Sequence, residues 1–156
     1  MSTNRTWRGL ALALAAALVL SLSAARAEDR APPDPSDRIS DKAEIEKLID
    51  DQTFYGRYTD GKPWAEYQSA DGRTAYKEEN CTYAGHWWID NDLVCYRYDA
   101  FNEGRPACFG VFRRGGEIGF YMRGLYGQWF LNAYTEERRS GNPDKMPLQG
   151  QACVGV

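Results

Sequence analysis

The centre of the chain reads Cys81-Thr-Tyr-Ala-Gly-His-Trp-Trp-Ile-Asp90, and after a polar turn it continues as Leu93-Val-Cys-Tyr-Arg-Tyr98. A longer turn then leads to Cys108-Phe-Gly-Val-Phe112. Aromatic residues alternate with polar ones along these runs, which is typical of strands with one buried face. Because each run also contains a cysteine, this segment predicts an antiparallel sheet joined by disulfide bonds.

Short strand-like runs separated by turn residues continue on both sides of this segment. Asp71-Gly72 between two of the runs is a strong hairpin signal. The spacing predicts a mainly β fold, either a single antiparallel meander or a small barrel of about eight strands. The strands are expected at Phe54–Tyr58, Trp64–Gln68, Arg73–Glu78, Tyr83–Ile89, Leu93–Tyr98, Cys108–Arg113, Ile118–Arg123 and Tyr126–Ala133.

One short N-terminal helix is expected at Asp41–Asp50, ahead of the strands. Asp41 and Glu44 have the spacing of a capping box. Apolar residues follow at helical spacing, namely Ile45, Leu48 and Ile49. We expect this helix to plug or flank one end of the barrel. The tail, Thr135–Val156, contains prolines and glycines and is expected to be irregular as far as Cys153.

The four cysteines allow three disulfide pairings, and the register of one hairpin helps to choose between them. With a four-residue loop at Ala100–Glu103, Asp99 faces Gly104. The same register places Cys95 directly opposite Cys108, and opposed residues of an antiparallel pair lie within disulfide reach. The hairpin therefore predicts a Cys95–Cys108 bridge.

The two remaining cysteines, Cys81 and Cys153, then form a bridge that ties the C-terminal tail to the sheet. Four free buried thiols are the alternative. A cysteine-only metal site is not expected, because no Cys-x-x-Cys spacing occurs. Asp90-Asn91-Asp92 begins like a calcium loop, but the glycine and glutamate required later in such a loop are missing. We expect a hairpin turn there and no metal site.

The N-terminus has the parts of a secretory signal. Arg5 and Arg8 give a positive start, Leu10–Leu22 is apolar, and Ala25-Arg26-Ala27 is a small-x-small cleavage site. The apolar run is shorter than the ~20 residues that a transmembrane helix needs. We expect residues 1–27 to be a signal peptide cleaved after Ala27. The mature protein is then periplasmic or secreted, by bacterial export, without a membrane span.

Two further segments complete the predicted organisation. Residues 28–40 are rich in proline and charge and are expected to be a flexible linker, and residues 41–156 are expected to form one β-rich, disulfide-stapled domain. The full chain has a formal net charge of −3. Cleavage of the signal removes three arginines and no acidic residue, so the mature protein is more acidic still. This charge balance disfavours a nucleic-acid partner.

Several motifs occur in a fixed order: Gln52-Thr-Phe-Tyr-Gly56, Tyr67-Gln-Ser-Ala-Asp-Gly-Arg73, Gly85-His-Trp87, Leu93-Val-Cys-Tyr-Arg-Tyr98 and Cys108-Phe-Gly-Val111. Over about residues 45–121 they resemble an uncharacterised family of small exported bacterial proteins. The resemblance implies the fold and the export, and it implies no activity because the motifs are turn and core residues. Gly85-His-Trp87 is also similar to the Gly-x-Trp signature of lipocalin-like barrels. Core packing of Trp87 is the alternative explanation.

No catalytic constellation is recognisable. His86 is the only histidine, and in strict alternation it shares a strand face with Ala84 and Trp88, so we expect a structural role. Glu78 and Glu79 are adjacent and face opposite sides of a strand, so they form no carboxylate pair. We therefore expect no catalytic residue, no cofactor and no enzymatic activity.

The functional indication is an excess of aromatic residues, with five tryptophans, ten tyrosines and six phenylalanines. We expect a non-enzymatic binding module for a small apolar or aromatic ligand. The candidate ligand-binding residues are Trp64, Trp88, Tyr96, Tyr98 and Trp129. The alternative is a cell-envelope accessory protein that docks a protein partner through an aromatic and acidic face, and a third possibility is an enzyme with an unrecognised site.

Overall fold

The computed structural model describes residues 33–154, so the predicted signal peptide lies outside the described residues. Two short 3-10 turns, Pro35–Asp37 and Asn102–Gly104, accompany one helix and ten strands in this part of the chain. In chain order these are β1 (Arg38–Ile39), α1 (Lys42–Ile49), β2 (Gln52–Tyr58), β3 (Pro63–Gln68), β4 (Arg73–Glu78), β5 (Cys81–Asp90), β6 (Leu93–Arg97), β7 (Ala107–Arg114), β8 (Glu117–Arg123), β9 (Trp129–Ser140) and β10 (Gln151–Cys153).

Strands β2 to β9 form a closed eight-stranded antiparallel barrel. Each strand pairs with the next along the chain, and β9 returns to pair with β2, from Gln52 opposite Ser140 to Tyr58 opposite Ala133. Closure satisfies the backbone groups of both outer strands and leaves no open sheet edge. The mainly β prediction and the small barrel of about eight strands are confirmed.

The helix α1 closes one end of the barrel. Its N-cap Asp41 accepts a hydrogen bond from the Glu44 backbone N–H at 2.8 Å, as the capping pattern indicates. Ile45 and Ile49 are fully buried and belong to the main core cluster. An ion pair between Arg113 and Glu44 holds the helix beside the β7–β8 turn. The opposite end carries the turns after β2, β4, β6 and β8.

Two short strands, β1 and β10, pair with the parts of β7 and β5 that β6 is too short to reach. Strand β6 is shorter than its neighbours β5 and β7, so part of each neighbour extends past it. Strand β10 pairs with β5 at Cys81 to Tyr83, and β1 pairs with β7 at Val111 and Phe112. The linker predicted over residues 28–40 therefore ends earlier than expected: Ile39 is 2% exposed and is part of the core.

Both predicted disulfides are present. Cys95 and Cys108 are directly opposed in the β6–β7 register and are bonded. Cys81 and Cys153 are opposed in the β5–β10 register and are also bonded. The described residues contain no free cysteine.

The bridge that closes the longer loop is expected to stabilise the fold more. Cys81–Cys153 spans 72 residues and Cys95–Cys108 spans 13. Loop-closure entropy predicts that replacing both cysteines of a bridge by alanine lowers the unfolding free energy by about 4 kcal/mol for the long loop and about 3 kcal/mol for the short one. Urea denaturation of the two double variants checks this order. A larger loss from the Cys95/Cys108 variant would contradict it.

The C-terminal part departs from the sequence prediction in two ways. The last long strand was expected at Tyr126–Ala133, but β9 begins at Trp129, because Tyr126 lies in a turn where the Gly127 N–H bonds to the Gly124 carbonyl at 3.0 Å. Residues 135–140 were expected to be irregular, yet they continue β9 and close the barrel against β2. Most of these residues are charged and exposed. They therefore show no alternation of apolar and polar residues that would have predicted a strand.

The tail after β9 covers the outer side of β3 and β4. Met146 and Leu148 pack against Tyr67 and Ala75, which point away from the barrel interior. The Asn142 side chain bonds both backbone groups of Met146 at 2.8 Å and holds this segment in place. Consequently the walls of the barrel behind β3 and β4 are shielded from water. None of the helices within residues 33–154 has the length and apolar character needed to cross a membrane.

Candidate ligand-binding cavity

The barrel contains an open-mouthed cavity of about 360 Å³. It lies toward the end opposite α1, because its lining includes the last residues of β2 and β4, the first residue of β7 and the loop that follows β6. Eight aromatic side chains form most of the wall: Tyr58, Trp64, Tyr76, Tyr96, Tyr98, Phe101, Phe109 and Phe120. Five polar side chains also contribute, namely Glu66, Glu78, Asn102, Arg105 and Asn132.

The aromatic wall is continuous from the barrel interior to the loop at its mouth. Phe101, in that loop, packs edge-on against Tyr76 at 5.7 Å and Tyr98 at 5.8 Å between ring centroids. On β3 and β8, Trp64 meets Phe120 edge-on at 6.1 Å. Edge-to-face pairs of this kind fix ring orientation as well as burying area. The cavity is therefore bounded by side chains that hold one another in place.

Glu66 is a buried carboxylate in this wall. It faces inward from β3 and is only 8% exposed. The Tyr98 hydroxyl donates a hydrogen bond to Glu66 Oε1, and Thr74 Oγ1 lies 3.1 Å from the same oxygen. Burial raises the pKa of Glu66 to about 7, and the hydrogen bonds from Tyr98 and Thr74 only partly oppose this rise. Glu66 therefore changes its charge near neutral pH.

Gly85 allows Tyr98 to reach Glu66. A Cβ atom at Gly85 would lie 2.5 Å from the Arg97 carbonyl oxygen and 2.5 Å from the Tyr98 ring. Such distances are far inside van der Waals contact, so only glycine lets the ring of Tyr98 lie against β5. The glycine of the Gly85-His86-Trp87 motif is thus a packing residue of the site. Trp87 itself is buried in the core, with its indole N–H bonded to the Ser69 carbonyl at 2.9 Å.

A second carboxylate and two tyrosines lie nearer the mouth. The Tyr76 hydroxyl lies 2.7 Å from the Tyr58 hydroxyl and donates to Glu78 Oε2 at 2.8 Å. Burial raises the pKa of Tyr58 to about 12, and burial together with the bond to Tyr58 raises the pKa of Tyr76 further. Both phenols therefore stay neutral at physiological pH and serve as hydrogen-bonding groups.

Two buried polar atoms on the inner face of β3 have no hydrogen-bond partner among the described residues. They are the indole Nε1 of Trp64, which lines the cavity, and Oε1 of Gln68. The Gln68 amide nitrogen lies 3.5 Å from the Tyr96 hydroxyl. A buried polar atom without a partner costs roughly 1–3 kcal/mol. A ligand that accepts a hydrogen bond from the Trp64 indole N–H would recover part of that cost at Trp64.

Three of the five predicted ligand-binding residues line the cavity, namely Trp64, Tyr96 and Tyr98. Trp88 and Trp129 are not among its lining residues. Trp88 pairs with Cys95 on the outer face of β5 and is 38% exposed. Trp129 packs against Phe112, which is outside the barrel, and the Arg38 guanidinium lies 4.8 Å from its ring. These two residues therefore belong to the outer surface.

The polar residues of the cavity were not predicted from the sequence. Alternation along β3 does place Glu66 and Gln68 on the same face as Trp64, which is the signal that identifies them. His86 lies on the same face of β5 as Trp88, as the alternation predicts, but it is exposed on the outside of the barrel and not half-buried. Asp90-Asn91-Asp92 forms the predicted hairpin turn, with Asp92 paired to Arg38 at 2.5 Å.

Comparison with known proteins finds no family model, no curated protein and no solved structure that matches this chain. The similarities to exported bacterial proteins and to lipocalin-like barrels therefore stay predictions.

Proposed function

We propose that the mature protein is an exported, non-enzymatic binding module that holds a small apolar or aromatic ligand inside the barrel. The observation that carries this proposal is the cavity of about 360 Å³ with its eight aromatic side chains. Small-molecule sites begin at about 300 Å³ and are lined mainly by apolar and aromatic groups with a few polar ones. A barrel built only for stability has its interior filled by side chains.

Export to the periplasm or the cell exterior is part of the same proposal. Two disulfides join the fold, and disulfides of this kind persist in oxidising compartments. The N-terminal signal pattern supports the same location. A closed, disulfide-stapled barrel suits a carrier or scavenger that must stay folded outside the cytoplasm.

Filling the cavity should weaken the binding of a neutral apolar probe. Ala107 lines the cavity beside Tyr96, so Ala107→Phe places a ring in the space that a ligand would occupy. We expect the affinity for N-phenyl-1-naphthylamine, measured by its fluorescence, to fall at least about tenfold, a change equivalent to ~1.4 kcal/mol. Recovery of the probe with unchanged mass distinguishes binding from turnover.

The matched control is Ala152→Phe, which adds the same ring to an exposed position of β10. This variant should bind the probe as the wild type does. Thermal melts followed by circular dichroism establish that both variants are folded. Equal affinity in the folded Ala107→Phe variant and the wild type would show that the probe binds elsewhere, and the proposal would fail.

A second candidate function, docking of a protein partner, is favoured by one outer feature. The β8–β9 turn presents Leu125, which is 99% exposed, and Tyr126, which is 93% exposed. Exposed apolar residues at the tip of a hairpin are typical of contact surfaces. The adjoining charge is the guanidinium of Arg123, which lies 5.8 Å from the Trp129 ring, so this surface is aromatic and basic rather than aromatic and acidic.

A further inference from the structure

We propose that the ligand of the cavity is an organic cation, an aromatic or apolar body that carries a protonated amine. This inference rests on the proposed function, because it names the class of ligand that the same cavity selects. Its basis is the arrangement of charges and rings around Glu66.

The charged groups that line the cavity are two carboxylates and one guanidinium. The guanidinium of Arg105 is exposed and contacts its own loop: its Nη2 lies 3.1 Å from Glu103 Oε2 and its Nε donates to the Asn102 carbonyl. Neither Glu66 nor Glu78 forms an ion pair with a basic side chain within residues 33–154. The lining therefore has one more negative than positive group, and neither carboxylate has an ion-pair partner. A cationic ligand would supply such a partner, and an anionic ligand would not.

Aromatic rings line the cavity together with the Glu66 carboxylate. Tyr98, whose hydroxyl binds Glu66, has its ring centroid 5.7 Å from that of Tyr76 and 5.8 Å from that of Phe101. Ring faces attract ammonium groups through their negative quadrupole, and the attraction is larger when water is excluded. A protonated amine beside Glu66 would form an ion pair with the carboxylate and a cation–π contact with the rings, whereas a neutral hydroxyl group would form only a hydrogen bond.

The charge of the site is controlled by Glu66 near neutral pH. The titratable groups around it are the phenols of Tyr58, Tyr76, Tyr96 and Tyr98, the carboxylate of Glu78 and the guanidinium of Arg105. The pKa of each of the four phenols is raised by burial, so they stay neutral. Because the pKa of Glu66 is about 7, binding of a cation must compete with a proton at this carboxylate.

Competition with the proton fixes the sign of the pH dependence. An alkylamine with a pKa near that of lysine, about 10.4, stays charged from pH 5 to pH 8. Protonation of Glu66 then weakens cation binding by about 100-fold at pH 5 relative to pH 8. A ligand that accepts a hydrogen bond from the protonated carboxyl group would show the opposite trend.

The test uses three indole probes that differ in one terminal group, with the mature disulfide-bonded protein and isothermal titration calorimetry. Tryptamine carries an ammonium group, tryptophol a hydroxyl group and indole-3-propionate a carboxylate. At pH 8 we expect tryptamine to bind at least about tenfold more tightly than tryptophol, and indole-3-propionate to bind least. The affinity for tryptamine should fall about 100-fold between pH 8 and pH 5.

Two variants complete the experiment. Glu66→Gln keeps the shape of the side chain and should lose both the preference for tryptamine and the pH dependence. Glu79→Gln, at an exposed turn position beside the barrel mouth, should behave as the wild type. The pH profile of the wild-type protein needs no variant, so the test stands even if Glu66→Gln folds poorly.

The outcomes separate this inference from the proposed function. Binding of N-phenyl-1-naphthylamine in the cavity without a preference for tryptamine over tryptophol, or with tryptamine affinity that rises toward acid pH, would overturn the cation inference alone. Failure of the naphthylamine probe and of all three indoles to bind would overturn both.

Discussion

Replacing Gly56 by alanine is expected to lower the unfolding free energy by at least about 3 kcal/mol. A Cβ atom there would lie 2.0 Å from the Tyr134 carbonyl oxygen and 2.8 Å from the Trp64 ring. The first contact is with backbone of β9, so no side-chain rotation relieves it. Gly56 lies where the β2–β9 register shifts. Because β2 and β9 close the barrel, the clash would push apart the two strands on which closure depends.

Gly116→Ala is the control for Gly56→Ala. Nothing lies within 4 Å of a Cβ atom at Gly116, so the change should be within about 0.5 kcal/mol of the wild type. Urea denaturation followed by circular dichroism measures both variants. If Gly56→Ala is as stable as Gly116→Ala, β2 and β9 are not packed as described.

The second large effect is a pH-dependent loss of unfolding free energy caused by the burial of Glu66. The pKa of Glu66 rises from 4.5 in the unfolded chain to about 7 in the folded protein. Below pH 4.5 the carboxyl group is protonated in both states, and the cost is absent. Between these pKa values the folded protein binds a proton that the unfolded chain has lost, so its stability falls as pH rises. The full cost, about 3 kcal/mol, is present above pH 7.

Glu66→Gln should therefore gain stability relative to the wild type by about 3 kcal/mol as the pH rises from 4.5 to above 7. Urea denaturation of both proteins across this range measures the difference, and taking the difference cancels the titration of other groups. Glu79→Gln, at an exposed position, should show a constant difference. A difference for Glu66→Gln that does not change with pH would mean that the carboxylate is solvated in the folded protein.

Much of the fold could be predicted because local patterns determine it. The register of one hairpin is sufficient to pair Cys95 with Cys108, and the second bridge then follows from the two cysteines that remain. Period-two alternation places His86 and Trp88 on the same face of β5, and the structure shows that this face is the outer one. These features depend on residues close in sequence, so closure of the barrel is not needed to see them.

The candidate site could be predicted only in part, because it depends on closure. The inner face of β3 holds Trp64 and Glu66, and in an open sheet a glutamate would be assigned to the solvated face. Burial of Glu66 follows from the β2–β9 pairing that closes the barrel. This pairing joins residues about half the chain apart, and the charged residues of β9 that take part in it show no strand pattern. The positions of aromatic residues also did not distinguish the inner face of the barrel from the outer one, since Trp129 lies on the outside of β7 next to Phe112.

The most direct test of a ligand inside the barrel is the mapping of backbone amide chemical shifts during titration with N-phenyl-1-naphthylamine. The proposal predicts that the largest shifts occur in β3, in β4 and β6 near Tyr76 and Tyr96, and in the loop that carries Phe101. Shifts confined to the turn around Leu125 and Tyr126 would instead indicate an outer contact surface. Shifts at that turn alone, or none at saturating probe, would contradict a binding cavity.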